Sequence, residues 1–448
     1  MIRVGVIGGG ISGLVAAHRL RIELGGRAEI AVFDAGTSGG QLRTVDLAGG
    51  RFDIGAEAFV ARRPEVPALL DELGIADRLV APAGRRPLVY ADGGVHPLPA
   101  PTLMGIPAGP DPVAGLVSAD TLARIAAEPP RQFTWAPGAD VTVGALVRDR
   151  FGADVITRSV DPLLGGVYAG SADTTGLRAA LPTLAAALDG GAASLSDAVR
   201  AALPPARSGP VFGAVAGGYA ELIDALTAVI GDVRTGTEVV SLTRVDDGWA
   251  VTTKAGTATF DAVVLAVPPP ALHRLTSATM PAVAEAVGEI DMSHPTVVAL
   301  ALPADAPLPD ASGVLVATDA GLTAKAFTFS SRKWSHLRPD AQYVRVSFGR
   351  FGDDPRAVSE EDYVAAASAD LVTVTGIDAR PLAHAVQRWS PGIPQYRVGH
   401  KDVVARAIAA LPDDVAVAGA WLDGVGVPAC VASGEAAARR LLAGAPAV

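Results

Sequence analysis

Three glycines near the start of the chain have the spacing of a dinucleotide-binding loop. Gly8, Gly10 and Gly13 lie in GGGISG, after the apolar run RVGVI and before the helical pattern LVAAHRLRIEL. Such a loop needs glycine for a tight turn, for close approach to a pyrophosphate, and for packing of helix on strand. Asp34 ends the next predicted strand, EIAVFD, where its carboxylate can accept both ribose hydroxyls. This context favours a dinucleotide site over a glycine-rich turn without a ligand.

The segments that follow favour FAD over NAD. SGGQLRT places a second glycine pair and Arg43 shortly after the carboxylate, which resembles the extension that many FAD oxidases place beside the flavin phosphates. RFDIGAEAF resembles the segment whose backbone such proteins run along the flavin ring. Near the C-terminus, AWLDGVGVPACVASG predicts a strand, a glycine-rich loop and a helix. It could be an ordinary strand–turn–helix. A second helix N-terminus aimed at the cofactor, however, suits a long ligand with a distant ring.

Composition excludes several other classes of protein. Cys430 is the only cysteine, so an internal disulfide and a dithiol flavin reductase are both ruled out. We interpret Cys430 as a small buried residue and not as a flavin tether. The net charge is −10 with no run of basic residues, which argues against nucleic acid as a partner. Without a signal peptide or a long apolar run, we expect a soluble cytoplasmic protein, at most peripheral to a membrane, with no integral membrane association.

The 448 residues predict an α/β fold, α+β overall, in several compact units. The pattern predicts a discontinuous, Rossmann-like FAD-binding domain at residues 1–80, 208–270 and 385–448. Residues 81–207 are predicted to form a helical insertion that contributes to the substrate cavity. Alternating stretches predict an antiparallel sheet in an inserted substrate domain at residues 271–384.

Five segments together resemble the flavin amine oxidase and protoporphyrinogen oxidase superfamily. They are FDIGAEAFVARRP, DPLLGGVYAG, AKAFTFSSRKW, RWSPGIPQYRVGH and GVGVPACVASG. Within that superfamily the chain is most similar to the porphyrinogen oxidases of haem synthesis, and especially to the Gram-positive, actinobacterial coproporphyrinogen III oxidases. The matches run in order along nearly the whole chain, and the central insertion matches least.

The resemblance implies that FAD is bound non-covalently by residues from both ends of the chain. The implied contacts are Gly8, Gly9, Gly10, Ile11, Ser12, Gly13, Asp34, Ala35, Arg43, Gly55, Ala56, Glu57, Val239, Trp389, Gly424, Val425 and Gly426. Two positions depart from the family pattern: Ala56 stands where proline is common, and SGGQLRT lacks the usual GGR or GGK order.

The resemblance also implies the reaction. A porphyrinogen would lose six electrons in three two-electron steps, with flavin N5 accepting hydride from a bridge carbon and O₂ giving H₂O₂. No catalytic side chain is required, because pyrrole nitrogens can pass protons to water, and the sequence shows no metal-binding constellation. A ferrochelatase, as the next enzyme of haem synthesis, is a further expected partner.

Five residues are candidate substrate contacts, each with a structural alternative. Arg62 and Arg63 follow the flavin segment and suit carboxylate binding, although they could be a solvated pair. Tyr168 and Phe329 could pack on the macrocycle or simply form core. Lys325 is a further possible partner for a propionate.

Other functions stay open at this point. Protoporphyrinogen IX could be the substrate in place of coproporphyrinogen III, whose four carboxylates suit a soluble enzyme better. A flavin amine oxidase or desaturase could use the same fold, although only 5 % of the chain is aromatic and amine oxidases usually build an aromatic cage. A non-catalytic tetrapyrrole carrier could keep FAD as a structural element.

Overall fold

The opening strand, loop and helix form as predicted. In the computed structural model, which describes residues 1–129, 131–205, 209–337 and 340–444, they begin a five-stranded sheet, here called the nucleotide sheet. All of its neighbouring strands are parallel. Its spatial order is Val233–Arg234, Ala28–Phe33, Ile2–Ile7, Ala262–Leu265 and Val415–Val417. The predicted α/β fold is therefore confirmed.

Two long helices cover one face of the nucleotide sheet. The first, Ile11–Leu24, packs along the last, Val427–Gly444. They approach so closely that a Cβ atom at Gly434 would lie 2.3 Å from the carbonyl oxygen of Ser12. This contact joins the two ends of the chain beside the same strands.

A seven-stranded, mostly antiparallel sheet forms the second layer of the molecule. Its order is Ala383–Arg388, Thr296–Pro303, Ala341–Phe348, Ala326–Phe329, Gly313–Val316, Leu88–Ala91 and Gly94–Pro97. The helix Glu360–Thr375 packs against it. The last two strands come from the segment predicted as a helical insertion, so residues 88–97 belong to this sheet. The other domain limits stay a prediction, and the limit at residues 207 and 208 lies outside the described residues.

The helices between Ala119 and Ala202, here called the helical layer, enclose a buried ion pair. Glu128, which is fully buried, accepts hydrogen bonds from Arg150 Nε at 2.8 Å and from the backbone N–H of Leu195 at 2.9 Å. Its carboxylate therefore pairs with a buried guanidinium and satisfies free N–H groups at a helix start. The layer stands beside the antiparallel sheet and packs as one hydrophobic cluster.

The remaining elements connect these layers. The smaller sheets are Thr44–Leu47 with Gly50–Asp53; Phe59–Val60, Phe212–Val215 and Leu79–Val80; Val239–Val245, Gly248–Thr253 and Gly256–Phe260; Met292–Ser293 with Ile393–Pro394; and Thr102–Leu103 with Ile106–Pro107. The other helices are Glu65–Glu72, Ala119–Ala126, Val143–Arg150, Ala153–Val155, Asp161–Tyr168, Leu177–Ala180, Pro182–Asp189, Leu195–Ala202, Ala220–Ile230, Pro269–Thr276, Pro281–Gly288, Ser330–Lys333 and His400–Ala409. Among the described helices, none is long and apolar enough to cross a membrane.

Candidate cofactor and substrate site

A cavity of about 470 Å³ opens where the parallel strands end. Ile7, Phe33, Ala266 and Gly419 line it, and each lies at or just after the carboxyl end of a different strand of the nucleotide sheet. Ligands of open α/β sheets bind at this edge. The location therefore agrees with the dinucleotide site predicted from the first glycines.

The three motif glycines are required for different reasons. A Cβ atom at Gly13 would lie 1.9 Å from the carbonyl oxygen of Gly8, and one at Gly8 would lie 2.2 Å from that of Ala266. Gly10 has an ordinary extended backbone, with φ −70°, and its Cβ would meet only Gly40 Cα at 4.0 Å. The protein's own packing therefore needs Gly8 and Gly13. Gly10, in contrast, leaves open space beside the cavity. This is the space that a pyrophosphate needs if it is to approach the backbone closely.

Asp34 is held in a fixed orientation at one end of the cavity. One carboxylate oxygen accepts the N–H of Gly9 and the other that of Gly36, both at 2.7 Å. A carboxylate has further acceptor capacity, which leaves sites for ribose hydroxyls. Gly9 does not line the cavity, so the FAD contact predicted for it is not supported by its position, and its N–H orients Asp34 instead.

The second glycine pair closes over the first loop. The N–H of Gly39 donates to the carbonyl oxygen of Gly9 at 2.8 Å, and Gly40 borders the cavity. Gln41, which occupies the place where a basic residue was expected, donates from Nε2 to the carbonyl oxygen of Gly392 at 2.5 Å. It thereby joins the N-terminal loop to the RWSPGIP segment across the cavity. Sequence reasoning missed this contact.

Arg43 does not reach the cavity. Its side chain is exposed and borders a neighbouring groove with Thr37, Thr44 and Asp224. Arg43 does not line the cofactor cavity, so its predicted FAD contact is not supported by its position.

The predicted flavin segment faces two ways. Ala56 lines the cavity and donates its N–H to the carbonyl oxygen of Gln41 at 3.0 Å, while Gly55 packs so tightly on Gln41 that no Cβ would fit. The carboxylate of Glu57 instead accepts Lys333 Nζ at 2.8 Å and the hydroxyl of Ser330. Only Ala56 of this segment borders the cavity, and Glu57 links the segment to the antiparallel sheet.

A second buried contact joins the same two layers. Arg345, on the central strand Ala341–Phe348, donates to the carbonyl oxygen of Asp53 at 3.0 Å. The Asp53 carboxylate accepts Thr44 Oγ1 at 2.6 Å and the N–H of Tyr219 at 3.1 Å. Burial raises the pKa of Asp53 to about 6.

The C-terminal loop completes the cavity. Val425 and Cys430 line it, while Gly424 and Gly426 shape the turn behind them, Gly426 by accepting the N–H of Cys430 at 3.0 Å. Burial raises the pKa of the Cys430 thiol to about 11, so it is protonated at neutral pH and is not an activated nucleophile. Ile11, Ser12, Ala35 and Val239, which were also predicted to contact FAD, line the cavity.

Trp389 does not line the cavity. Its backbone N–H donates to the carbonyl oxygen of Pro295 at 2.9 Å, and its ring packs with the cluster around Tyr343. Its neighbours Pro391 and Gly392 border the cavity instead. Trp421 also lines it, and no signal in the sequence distinguished this tryptophan from Trp389.

The predicted substrate residues are not brought together. Arg62 and Arg63 are exposed; Arg62 donates to the carbonyl oxygen of Gly209 at 3.3 Å, and Arg63 pairs with Glu65. Both arginines lie apart from the cofactor cavity. Their position at the surface agrees with either a cavity mouth or a solvated pair.

Tyr168 lies closer to the C-terminal flavin loop. Its ring centroid is 5.6 Å from that of Tyr396, whose hydroxyl donates to the carbonyl oxygen of Ala420, a cavity residue, at 2.5 Å. Gln395 Nε2 donates to the carbonyl oxygen of Tyr168 at 2.8 Å. The DPLLGGVYAG and GIPQY segments are thus joined directly.

Lys325 and Phe329 are both buried in the antiparallel sheet. Lys325 is 8 % exposed and donates from Nζ to the carbonyl oxygen of Gly349 at 2.8 Å, and burial lowers its pKa to about 7. Phe329 has no exposed surface and packs among Phe348 and Leu371 under the helix Glu360–Thr375. The expectation that Phe329 packs on the macrocycle is corrected, because this side chain is part of the core and has no surface to offer a ligand.

Within residues 1–129, 131–205, 209–337 and 340–444, no group of three or more His, Cys, Asp or Glu residues could hold a metal ion.

A cavity at the ends of parallel strands, reached by two helix N-termini and bordered by glycine backbone, defines a dinucleotide-binding protein. Residues 11–442 match the family described as flavin-containing amine oxidoreductase, and the chain belongs to that family. It is an FAD-dependent oxidoreductase, and the predicted cofactor is confirmed.

Relatives of known name resemble the chain over nearly its whole length. It is 51 % identical to the coproporphyrinogen III oxidase of Mycobacterium tuberculosis, over 96 % of this chain and 95 % of that protein. It is 28 % identical to the coproporphyrinogen III oxidase of Bacillus subtilis, with 96 % of each chain covered. These findings confirm the resemblance to the porphyrinogen oxidases.

Solved structures agree with this placement. The crystal structure of a protein from Exiguobacterium sp. 255-15, assigned as a protoporphyrinogen oxidase, superposes with a TM-score of 0.86 at 28 % identity and covers 98 % of both chains. Putrescine oxidase has a TM-score of 0.72 at 18 % identity, covering 99 % of this chain and 100 % of its own. The latter likeness shows the shared fold alone.

Proposed function

We propose that this protein oxidises coproporphyrinogen III to coproporphyrin III in haem synthesis, by three two-electron steps with O₂ as the acceptor and H₂O₂ as the product. The observation that carries the proposal is the 51 % identity to relatives named coproporphyrinogen III oxidase, extending over 96 % of the chain. The single cysteine supports a small diffusible acceptor, because it provides no dithiol to relay electrons.

The residues of the chain hold and orient the reacting groups. Bound FAD supplies the hydride acceptor, as flavin chemistry requires. Asp34 and the glycine loop would fix the adenosine and phosphates at one end of the cavity. Ala56 and the Pro391–Gly392 turn would border the ring at the other end. The substrate bridge carbon would then need to approach within roughly 3–3.5 Å of the ring, a task of positioning and not of side-chain acid–base catalysis.

Cationic side chains on the substrate side suit a polyanionic substrate. Coproporphyrinogen carries four propionates, and Arg62 and Arg63 stand exposed directly after the flavin segment. Lys325 does not add to this support, because its ammonium is buried in the antiparallel sheet and donates to the carbonyl oxygen of Gly349. The proposal includes a cytoplasmic location, consistent with the lone cysteine, and delivery of the poorly soluble product to a ferrochelatase.

Protoporphyrinogen IX is the second candidate substrate. The observation that favours it is the TM-score of 0.86 to the Exiguobacterium protein assigned as a protoporphyrinogen oxidase. Protoporphyrinogen IX has two propionates and is less polar than coproporphyrinogen. The two substrates therefore make different demands on the exposed arginines.

An anaerobic and an aerobic experiment together test the proposal. Purified holoprotein is mixed without oxygen with coproporphyrinogen III, protoporphyrinogen IX or putrescine, and the flavin absorbance is followed. Coproporphyrinogen should bleach the flavin fastest, and in air porphyrin fluorescence should rise above autoxidation with one peroxide for each two-electron step. A flavin that stays yellow with both porphyrinogens would indicate a carrier, and rapid bleaching by putrescine alone would indicate an amine oxidase.

A further inference from the structure

A charged pair, Glu238 and Arg274, borders the cofactor cavity at the end where Asp34 lies. Both side chains line the cavity, and neither belongs to a motif used to predict the site. The N–H of Thr237, the residue before Glu238, donates to the carbonyl oxygen of Asp34 at 2.7 Å. Glu238 therefore stands beside the carboxylate expected to hold the adenosine ribose.

The pair spans two separate elements. Glu238 precedes the strand Val239–Val245, and Arg274 lies on the helix Pro269–Thr276. Arg274 donates from its guanidinium to the Glu238 carboxylate at 3.0 Å. Ala271, Arg274 and Leu275 all line the cavity, and this i, i+3, i+4 spacing places them on one face of the helix. The arginine is thus presented to the cavity by regular structure and not by a loop.

The pair is exposed, so its contribution to folding stability is expected to be small. The side chain of Arg274 is 55 % exposed and that of Glu238 is 44 % exposed. Ion pairs in such surroundings add little to folding stability, because water screens the charges and two long side chains lose freedom. A pair at the cavity rim can instead act on what the cavity holds.

We propose that Arg274, oriented by Glu238, covers the adenine ring of FAD at the open end of the cavity. A guanidinium is planar and stacks on aromatic faces, which suits the flat purine. Val239 lines the cavity next to Glu238, so its backbone is placed to meet the edge of the same ring. Glu238 serves as a positioning residue that limits the orientations of the arginine.

Flavin binding to the apoprotein tests this proposal without any turnover. The variants Arg274→Ala and Glu238→Ala are titrated with FAD, with FMN, which lacks the adenosine, and with ADP as a competitor for FAD. Arg274→Ala should raise the Kd of FAD about 3- to 30-fold, as expected for loss of one cation–π contact. The affinity for ADP should fall in parallel, and that for FMN should stay within twofold. Arg274→Lys, which keeps the charge but not the planar group, should fall between wild type and alanine.

Arg244→Ala is the matched control. Arg244 also forms an ion pair, with Asp414, and its side chain is 52 % exposed, but it does not line the cavity. This variant should bind FAD as the wild type does, and circular dichroism should show all apoproteins equally folded. Unchanged FAD and ADP affinities in Arg274→Ala would overturn the proposal, as would equal weakening of FAD and FMN. The inference rests on FAD alone, so a protein that shows these affinities but leaves coproporphyrinogen unoxidised would refute the proposed function and not this role.

Discussion

Replacing Gly10 by alanine should separate cofactor binding from folding. A Cβ atom at Gly10 would meet no protein atom closer than Gly40 Cα at 4.0 Å, and the backbone there, φ −70° and ψ 172°, suits any residue. The methyl group would instead occupy space beside the cavity that Gly10 lines. The apoprotein should therefore fold normally while FAD is displaced.

The size of the effect follows from the contacts that would be lost. A phosphate pushed away from the loop loses one or two hydrogen bonds to backbone N–H groups, each worth about 1.5–3 kcal/mol when the acceptor is charged. The Kd of FAD should thus rise by roughly 10- to 150-fold for each bond lost. Without FAD, alanine at a compatible backbone conformation should leave the stability unchanged or raise it by about 0.4–1 kcal/mol.

Gly13→Ala provides the opposite outcome as a control. Its Cβ would lie 1.9 Å from the carbonyl oxygen of Gly8, so the helix must move away from the strand. Overpacking of this kind costs about 1–3 kcal/mol of folding stability. Gly13→Ala should therefore destabilise the apoprotein itself, and Gly10→Ala should not.

Two measurements decide between these outcomes. Flavin absorbance of purified protein and FAD titration give the cofactor affinity, and urea unfolding of apoprotein gives the stability. Gly10→Val, with a larger side chain, should be purified without flavin. The reasoning would be refuted by a fully flavinylated Gly10→Val protein, or by an apoprotein of Gly10→Ala as unstable as that of Gly13→Ala.

Three further variants test the residues predicted to contact the substrate. Arg62→Ala with Arg63→Ala should raise KM for the four-carboxylate substrate by roughly fivefold, about 1 kcal/mol, and should raise it less for the two-carboxylate substrate; equal KM values for wild type and variant with both substrates would remove the arginines from the pocket. In the wild type, the free energy of unfolding should rise between about pH 7 and 10, by up to about 1.4 kcal/mol per pH unit, because the Lys325 amine is neutral in the folded protein but charged in the unfolded one. Lys325→Met should abolish this rise. Urea unfolding at pH 7 and 9 that shows the same rise in both proteins would contradict the lowered pKa. Phe329→Ala should lower the folding stability by about 3–5 kcal/mol and leave KM unchanged. Urea unfolding and steady-state kinetics measure the two quantities. A changed KM without loss of stability would show that Phe329 contacts the substrate.

Local patterns in the sequence were sufficient for the first half of the site. The glycine loop and the C-terminal loop each follow a strand and precede a helix, and Asp34 directly follows a strand, so short-range periodicity located them. The contact between Gln41 and Gly392 joins residues 351 positions apart, and no local pattern reports such a distance. The same holds for the parallel pairing of Leu88–Ala91 with Gly313–Val316, which placed residues 88–97 in a sheet and not in a helical insertion.

Side-chain direction is a property that local patterns did not give at two positions. The Glu57 side chain binds Lys333 and Ser330, so its predicted FAD contact, which concerns the backbone of this segment, stays a prediction. Phe327 and Phe329 share one face of their strand, and alternation alone does not tell which face a helix covers. Helix Glu360–Thr375, which follows about thirty residues later, covers the face with the phenylalanines.

The position of Glu57 has a physical consequence for how the two halves of the molecule are held together. Its carboxylate, 12 % exposed, pairs with Lys333, 20 % exposed, on the short helix Ser330–Lys333 that follows the strand Ala326–Phe329. Arg345, on the neighbouring strand of the antiparallel sheet, binds the backbone of Asp53. A buried ion pair adds little net stability. Removal of one partner, however, leaves the other charge buried without a counter-charge and lowers the folding stability by about 3–5 kcal/mol. Sliding the antiparallel sheet along the flavin segment would break both contacts at once. The segment that borders the cofactor cavity through Ala56 is therefore also the segment whose contacts fix the position of the antiparallel sheet. This accounts for the largely buried carboxylate of Glu57, which does not line the cavity.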